Sequence, residues 1–430
     1  MLITWRAVAL TALGVVAVVL VPAGLTVVLW LALVVLLCVV DTLLAASPRA
    51  VELSRRVPMS VRLTEHVTSS LAVTNLGRRT LRGTLRDAWQ PSAGAVSNRH
   101  ELEVRAGDGQ RVRTVLTPSR RGDRQADLVT IRTRGPMGLA GRQASLAVPG
   151  RLRVLPEFAS RRHLPSRLAR LRELDGRAAV QVRGAGTEFD SLREYVVGDD
   201  VRSIDWRATA RRSEVVVRTW RPERDRRVFM VLDTSRTSAA RVGDAPRLDA
   251  SIEAALLLAA LASHAGDRVE LIAFDRRLRA RVAGATGPRL MPAMADALAP
   301  LEPALIEADW PGIVGAIRER TSQRALVVLL SALEPAAVES GLLPVVAQLT
   351  AVHQVVLASV ADPELAELRS GRASSADIYD AAAAQRADLE REAIAVRLRQ
   401  RGVDVVEALP EDLAPRLADA YLALKAAGRL

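Results

Sequence analysis

The chain is poor in the side chains that most often form disulfides, covalent intermediates and stacking surfaces. Its 430 residues include one cysteine and 3% aromatics. The cysteine, Cys38, lies inside an apolar run, which excludes a disulfide framework, a thiolate metal cluster and a cysteine nucleophile. The histidines are scattered, and none has another at the spacing of metal ligands: His66, His100, His163, His264 and His353. A histidine or cysteine metal centre is therefore not expected.

Signature motifs of nucleotide-dependent and hydrolytic enzymes are missing as well. The sequence has no P-loop, no GxSxG elbow, no HExxH pair and no dinucleotide-binding fingerprint. With no catalytic constellation visible, we expect a protein that is not an enzyme.

Basic charge is plentiful, with a net charge of +12 at pH 7, and Lys425 is the only lysine. Surfaces that bind nucleic acid usually combine basic residues with aromatic stacking residues, which are scarce here. We therefore expect no nucleic-acid partner. An anionic cytoplasmic membrane leaflet is the simpler partner for an arginine-rich chain.

The one long apolar run lies at the N-terminus, where no charged residue occurs from Ala7 to Val40. As a single helix it would be about 50 Å long, well beyond a hydrocarbon core of about 30 Å. Pro22 and Gly24 lie near its middle and favour a turn there. Residues 1–46 are therefore predicted to form a transmembrane hairpin of two helices, Leu2–Val21 and Leu25–Ala46. A single tilted span is the alternative.

Flanking arginines predict the orientation of this hairpin. Arg6 precedes the apolar run, and Arg49, Arg55 and Arg56 follow it. Because positive flanks remain on the cytoplasmic side, either arrangement leaves the rest of the chain in the cytoplasm. We expect a protein of the plasma (inner) membrane with cytoplasmic domains.

Residues 47–156 alternate apolar and polar side chains with a period of two. Short turn segments separate the runs Ser60–Thr64, Leu71–Asn75, Leu81–Leu85, Arg111–Leu116 and Asp127–Thr133. Short strands at about ten-residue spacing predict an all-β module, an immunoglobulin-like sandwich. The module carries no carboxylate pair or histidine cluster, so we interpret it as a spacer or docking surface.

Residues 157–225 combine a basic linker helix, predicted over 157–182, with a dense motif. The motif reads GAGTEFDSLREYVVGDDVRSIDWRATARRSEVVVRTW from Gly184 to Trp220. Its signature residues are Glu188, Phe189, Arg193, Tyr195, Gly198, Asp199, Asp200, Arg202, Asp205, Trp206, Arg211 and Arg212. This pattern resembles the signature of a bacterial family known as domain of unknown function 58. In that family the motif precedes a von Willebrand factor A-type (vWA) fold, usually behind two N-terminal membrane helices.

The motif mixes opposite charges too densely for a free loop. We hypothesise that its acids pair with its arginines and lock the segment against the following domain. The acids are Glu194, Asp199, Asp200 and Asp205, and the arginines are Arg193, Arg202, Arg207, Arg211 and Arg212. One alternative is a solvated Val-Gly-Asp-Asp turn. The other is a metal-dependent hydrolase that uses the cluster Asp199/Asp200/Asp205.

Residues 226–430 alternate strand and helix signals, which predicts a doubly wound α/β domain. Strands are expected at Arg227–Asp233, Arg268–Phe274, Arg324–Ser331, Gln354–Val360 and Val403–Ala408. Helices are expected at Leu248–Gly266, Arg289–Leu301, Trp310–Thr321, Glu334–Val352, Ser374–Arg401 and at the C-terminus. The family resemblance implies that this domain is vWA-like.

The first strand ends at Asp233-Thr-Ser235-Arg-Thr237, where the family fold carries a D-x-S-x-S metal site. The resemblance makes Asp233, Ser235 and Thr237 candidate ligands of Mg²⁺ or another divalent cation. The motif is degenerate, because Ala332 follows Ser331 where the family has an acid, and Glu307 and Asp309 stand near the position of an absent threonine. In the alternative, Asp233 and Ser235 only cap the following turn.

The resemblance also implies a function. Such proteins look like accessory partners of MoxR-type AAA+ ATPases, in the assembly or maturation of protein complexes or of the cell envelope. We therefore expect a membrane-anchored interaction scaffold or co-chaperone, with the surface around Asp233–Ser238 as its docking face. The partners would be the ATPase, the lipid bilayer and other envelope proteins. A metal-dependent hydrolase and a structural envelope protein are the alternatives.

Overall fold

The computed structural model of the chain describes residues 2–181, 188–212, 214–221 and 226–430. It divides into two compact units, Met1–Glu157 and Phe158–Leu430. The Gly184–Gly186 opening of the signature motif lies outside the described residues, as do the side chains of Glu188, Phe189 and Arg212.

The first unit begins with two apolar helices and continues as a β module. Its elements are β1 (Leu2–Ile3), α1 (Trp5–Leu20), α2 (Gly24–Leu44), β2 (Val51–Arg56), β3 (Ser60–Arg62), β4 (Val67–Asn75), β5 (Leu81–Trp89), β6 (Ala95–Val96), β7 (Arg99–Val104), β8 (Gly109–Leu116), β9 (Gly122–Arg134) and β10 (Ala140–Leu155). The five sequence-predicted strand segments coincide with parts of β3, β4, β5, β8 and β9.

Helices α1 and α2 run antiparallel and pack through a close approach at Gly14. A Cβ at Gly14 would lie 2.4 Å from the Trp30 ring, and the Trp30 indole N–H donates to the Leu10 carbonyl at 3.2 Å. The turn falls at Pro22, as the sequence indicated. In the described residues, α2 is the one helix long and apolar enough to cross a membrane, and α1 is a shorter apolar helix.

The β module consists of two sheets around a shared apolar core. One sheet has the order β1-β10-β9-β5-β7, with β3 beside β10, and the other has the order β2-β4-β8-β6. Leu71 and Val73 from the second sheet pack in the same cluster as Leu85 and Ile131 from the first. The period-two pattern therefore marks the inward faces of both sheets.

The second unit contains the linker helix, the signature segment and an α/β domain. Its elements are α3 (Leu164–Gln181), β11 (Glu188–Glu194), α4 (Trp206–Arg212), β12 (Val216–Arg221), β13 (Arg227–Asp233), α5 (Arg236–Ala239), β14 (Arg241–Val242), β15 (Ala245–Pro246), α6 (Arg247–His264), β16 (Arg268–Phe274), β17 (Leu278–Val282), α7 (Leu290–Leu298), α8 (Trp310–Arg320), β18 (Leu326–Leu330), α9 (Pro335–Ala337), α10 (Ala347–Thr350), β19 (Gln354–Val360), α11 (Pro363–Leu368), α12 (Ser375–Gln400), β20 (Val403–Ala408) and α13 (Pro410–Ala426).

The main sheet of this unit has the order β17-β16-β13-β18-β19-β20. Neighbouring strands are parallel except at the β17 edge, which is antiparallel to β16. Strand β13 sends Met230 and Leu232 into one core and Phe229 and Val231 into another. Helices α6, α7 and α13 cover the first face, and α8 and α12 cover the second, so the expected mixed α/β architecture is confirmed.

One helix predicted from the sequence is wrong. The segment expected as a single helix over Glu334–Val352 is divided into α9, a π-helical turn at Val338–Leu342, and α10. Pro344 has no backbone N–H to continue a helix. Gly341 is required where the chain meets Trp310, since a Cβ there would lie 2.4 Å from the indole ring. Pro344 therefore divides the predicted helix, and Gly341 allows the segment to pack closely against α8.

Candidate functional site

The signature segment folds around the antiparallel pair β11 and β12. Between the strands the chain forms a turn, a 3-10 turn at Val201–Ser203 and helix α4. The backbone N–H groups of Tyr195 and Asp205 donate to the carbonyls of Val215 and Val216, each at 2.8 Å. The segment thus has its own backbone hydrogen-bond frame.

A bidentate ion pair closes the turn after β11. The two terminal nitrogens of Arg193 lie 2.5 and 2.7 Å from the carboxylate oxygens of Asp199. Asp199 also accepts the backbone N–H of Val196 at 3.0 Å, and Gly198 provides the positive φ of 112° that the turn needs. The hydrogen bond from Arg193, followed by that from the Val196 N–H, lowers the pKa of Asp199 below its usual value.

A second acid of the motif fixes the start of α4. One oxygen of Asp205 accepts the backbone N–H groups of Arg207 and Ala208 at 3.0 Å, as an N-terminal cap does. The other accepts Nε of Arg218 at 2.9 Å. The Ala208 N–H and then Arg218 lower the pKa of Asp205. Asp200 accepts the backbone N–H of Arg202 at 3.0 Å.

These contacts revise the predicted charge network. The Arg193–Asp199 pair is among those considered from the sequence, but Asp205 pairs with Arg218, which the sequence reasoning missed. The available signal was the strand-like run that includes Arg218, which forms β12 beside the turn that carries Asp205. Each of these contacts joins two residues of the segment itself, so they hold its internal shape rather than lock it against the α/β domain.

Several apolar side chains of the signature segment are exposed to solvent. Val197 is 94% exposed and Trp206 is 68% exposed, and Val196 and Val201 are also exposed. We call these four residues the signature surface. Arg202, which directly follows Val201, is exposed, and so is Arg211 in the same helix as Trp206. Exposed aromatic and aliphatic side chains on a braced backbone are typical of protein-binding sites.

The Asp233 loop is a closed hydrogen-bond cluster at the carboxyl end of β13. One Asp233 oxygen accepts the backbone N–H of Ser235 at 2.8 Å. The other accepts the hydroxyls of Thr237 at 3.0 Å and Ser331 at 2.6 Å. The Ser235 and Thr237 hydroxyl oxygens lie 3.2 Å apart, and all four side chains are buried. Ser331 completes the cluster because β18 is the parallel neighbour of β13.

A second buried carboxylate, Asp275, was missed from the sequence although it directly follows strand β16. It accepts the Thr234 hydroxyl at 3.3 Å and the backbone N–H groups of Arg276 and Arg277 at 2.6 and 3.2 Å. The guanidinium of Arg279 lies 3.5 Å from it. Asp275 therefore holds the loop next to the Asp233 cluster in place.

The geometry also corrects the docking face expected around Asp233–Ser238. Asp233 and its hydroxyl partners are buried, and the exposed side chain within the loop is Arg236. Arg236 pairs with Glu307 at 2.8 Å, while Asp309 caps α8 through the N–H of Gly312. A charge reversal at Asp233 would therefore break internal hydrogen bonds and would not test a contact with a partner.

The residues of the Asp233 cluster fit a resident divalent cation poorly. A magnesium ion held by protein is usually bound through carboxylates and keeps several waters, but here a single carboxylate is surrounded by hydroxyls. Within the described residues no group of three or more histidine, cysteine, aspartate or glutamate side chains could hold a metal. The geometry fits the capping alternative for Asp233, which accepts the Ser235 N–H, but the Ser235 side chain makes no capping hydrogen bond to the following helix.

Magnesium is therefore expected to leave the stability of the protein unchanged. Thermal unfolding of the full-length protein should have the same midpoint with excess Mg²⁺ as with a chelator. If the cluster did bind the cation, Mg²⁺ at 100 times its Kd would add about 2.7 kcal/mol to the free energy of unfolding, and the midpoint would rise. The Asp233→Asn variant is the control for the site. A rise in midpoint with Mg²⁺ that this variant abolishes would show that the cluster is a metal site.

Comparison with known proteins adds one family match. Residues 191–403 match the model described as "Protein of unknown function DUF58". Uncharacterized proteins of Mycobacterium tuberculosis and Mycobacterium bovis are 29% identical over 190 residues, which is 44% of this chain and 59% of each relative. The chain thus spans less than two thirds of the length of these relatives.

Matches among solved structures are partial. The CARDB domain of a Pyrococcus furiosus protein has 12% identity and a TM-score of 0.17, over 23% of this chain and 86% of that one. A chain from the complex of "Zinc 2-glycoprotein (ZAG) and Prolactin inducible protein (PIP) from human seminal plasma" has 13% identity and a TM-score of 0.19, over 24% of this chain and 92% of that one. These scores are too low to support an argument. What the comparisons do show is that residues 191–403 of this chain match the DUF58 family.

Proposed function

We propose that the protein is a membrane-anchored scaffold that binds a protein partner through the signature surface. In this proposal the hairpin lies in the plasma membrane and the rest of the chain is cytoplasmic. The β module is an immunoglobulin-like sandwich, and the α/β domain is vWA-like. The observation that supports a binding role is the exposure of Val197 and Trp206 on a segment in which Asp199 and Asp205 are already paired internally.

The internal ion pairs matter because they fix the backbone of the segment, while different, exposed side chains are left to contact a partner. Arg193–Asp199 and Asp205–Arg218 fix the backbone on both sides of the exposed residues. A partner can then bury Val197 and Trp206 without first ordering the loop, which lowers the entropic cost of binding. The same pairing argues against the metal-dependent hydrolase, since both carboxylate oxygens of Asp199 and of Asp205 already accept hydrogen bonds from arginine or backbone N–H groups.

The proposed partner is a MoxR-type AAA+ ATPase. This choice rests on the family resemblance of the signature motif, and the match of residues 191–403 to DUF58 supports that resemblance. The membrane anchor would recruit the ATPase to the inner face of the membrane, where it would assist assembly or maturation of protein complexes.

Replacing Trp206 with serine is expected to reduce capture of the ATPase by roughly tenfold or more, since buried tryptophans at interfaces commonly contribute more than about 1.4 kcal/mol. The measurement is a cross-linked pull-down of the full-length protein from its native membrane, quantified by mass spectrometry. Tyr379→Ser is the matched control, because Tyr379 on α12 is 78% exposed and lies outside the signature surface.

The outcomes separate the candidate functions. Equal loss of the ATPase with both variants would show that the signature surface is not the specific binding site. Recovery of envelope proteins alone, without an ATPase, would favour the structural envelope alternative. Unchanged thermal midpoints for both variants are expected, because both side chains are exposed, and would show that any loss of capture reflects binding.

A further inference from the structure

The C-terminal end of the span-length helix α2 is capped by arginines of the β module. Nε of Arg142 donates to the carbonyl of Thr42 at 2.9 Å, and a terminal nitrogen of Arg79 donates to the carbonyl of Leu43 at 2.6 Å. These carbonyls belong to the last turn of a helix that ends at Leu44. If α2 spans the bilayer, they lie where hydrocarbon meets headgroups.

Two further side chains, those of Asp41 and Thr4, hold the β module at this end of the helices. The buried carboxylate of Asp41 accepts the backbone N–H groups of Met137, Leu139 and Ala140 at 2.7–2.8 Å. At the start of the other apolar helix, the Thr4 hydroxyl donates to the carbonyl of Gly138 at 2.6 Å. The turn between β9 and β10 therefore joins both helices, and the module cannot tilt away without breaking these bonds.

The loop between β4 and β5 also lies at the C-terminal end of α2, and hydrogen bonds of Asn75 fix its conformation. Asn75 is buried, its side-chain oxygen accepts the N–H of Gly77, and its amide nitrogen donates to the carbonyls of Arg79 and Val104, all at 2.9 Å. The N–H of Leu76 donates to the carbonyl of Ala50 at 3.0 Å. The loop thus reaches the helix end in one defined conformation.

Exposed side chains at this end combine apolar and basic character. Leu76 is 65% exposed, and Arg78 beside it is also exposed. Trp5 and Arg6, at the start of α1, are exposed as well. Tryptophan and arginine at the end of a membrane helix are typical of the headgroup layer, where the ring or aliphatic stem is partly buried and the charge meets phosphate.

We propose that Leu76, Arg78, Trp5 and Arg6 form a headgroup-binding surface for anionic phospholipid. We call it the headgroup surface. The occupant is a lipid because the surface is continuous with a helix of membrane-spanning length, and it is an anionic lipid because its charged members are arginines. The inference rests on the membrane anchoring within the proposed function.

The test uses the full-length protein purified in detergent, with phosphatidylglycerol and phosphatidylcholine as the probes. Native mass spectrometry counts the lipid retained by each variant. Phosphatidylglycerol is expected to be retained preferentially. Arg78→Glu is expected to weaken this retention by roughly tenfold and Arg78→Gln by roughly fivefold, following the contribution of one basic residue near an anionic surface.

The matched control is Arg120→Glu at the opposite end of the β module. Arg120 is exposed and follows β8, whose eight residues separate the two ends by roughly 25 Å. This variant is expected to retain phosphatidylglycerol like the native chain. Equal retention of both lipids by the native protein, or equal loss in Arg78→Glu and Arg120→Glu, would overturn the headgroup surface.

Carbonate extraction of native membranes separates this inference from the anchoring on which it rests. Release of the protein into the carbonate supernatant would show that α2 does not span a bilayer, and would overturn the anchored scaffold and the headgroup surface together. Retention in the membrane without any lipid preference would overturn the headgroup surface alone.

Discussion

Replacing Asp41 with alanine is expected to raise the amide exchange rates of Met137, Leu139 and Ala140 by roughly a hundredfold or more. Its carboxylate accepts all three N–H groups, and hydrogen bonds to charged groups contribute about 1.5–3 kcal/mol each. The measurement is hydrogen–deuterium exchange of the full-length protein in detergent. Asp41→Asn keeps one acceptor oxygen and should give an intermediate increase.

An independent substitution tests the same junction from the other side. A Cβ at Gly135 would lie 2.1 Å from a carboxylate oxygen of Asp41 and 2.3 Å from its backbone carbonyl. Gly135→Ala is therefore expected to reproduce the exchange pattern of Asp41→Ala. Asp108→Ala removes an exposed acid from the β module and should leave these amides protected. Native-like protection in Asp41→Ala would show that the helices and the β module are not joined through this carboxylate.

Replacing Asp87 with alanine is expected to lower the free energy of unfolding of the β module by about 3–5 kcal/mol. Asp87 and Arg55 are both buried and lie 2.8 Å apart. The same carboxylate accepts the indole N–H of Trp89 at 3.0 Å and the hydroxyl of Thr114 at 3.2 Å. Arg55 is otherwise held by the Val148 carbonyl and the Trp89 ring. Alanine would leave the arginine as a buried cation without its carboxylate.

Urea unfolding followed by tryptophan fluorescence measures this loss. The control is Glu103→Ala in the exposed Arg82–Glu103 pair, which should cost less than about 1 kcal/mol because solvent screens it. The double variant Arg55→Met/Asp87→Leu should be more stable than Asp87→Ala, since it removes both charges together. A loss below about 1 kcal/mol for Asp87→Ala would show that the buried pair does not hold the two sheets.

Periodic patterns in the sequence predicted much of the fold. Strands at Arg227–Asp233, Arg268–Phe274 and Gln354–Val360 have the predicted bounds, because a short apolar run suits a strand that is buried on both faces. The edge strand Val403–Ala408 has the predicted bounds as well. The turn at Pro22 followed from the proline itself. The helix expected over Glu334–Val352 is divided because Pro344 within it has no backbone N–H to continue the helix.

The sequence predicted which residues form the candidate site, but not which of their side chains contact each other. The sequence located the acids and arginines of the signature and the Asp233 loop. It could not show that Asp205 meets Arg218, or that Ser331 completes the Asp233 cluster from 98 residues away. Strand order determines which side chains meet across a sheet, and a local pattern carries no strand order.

By itself, the sequence determined the apolar N-terminal helices, the two kinds of β pattern and the place of the signature motif. The helices and the β patterns depend on the periodicity of neighbouring residues, whereas the signature motif was located by its resemblance to a family. Only the tertiary structure decided which charges are exposed and which are used internally. Asp41, Asp87 and Asp233 look alike in the sequence, yet each is buried because distant segments supply the N–H groups, hydroxyls or guanidinium that offset its desolvation.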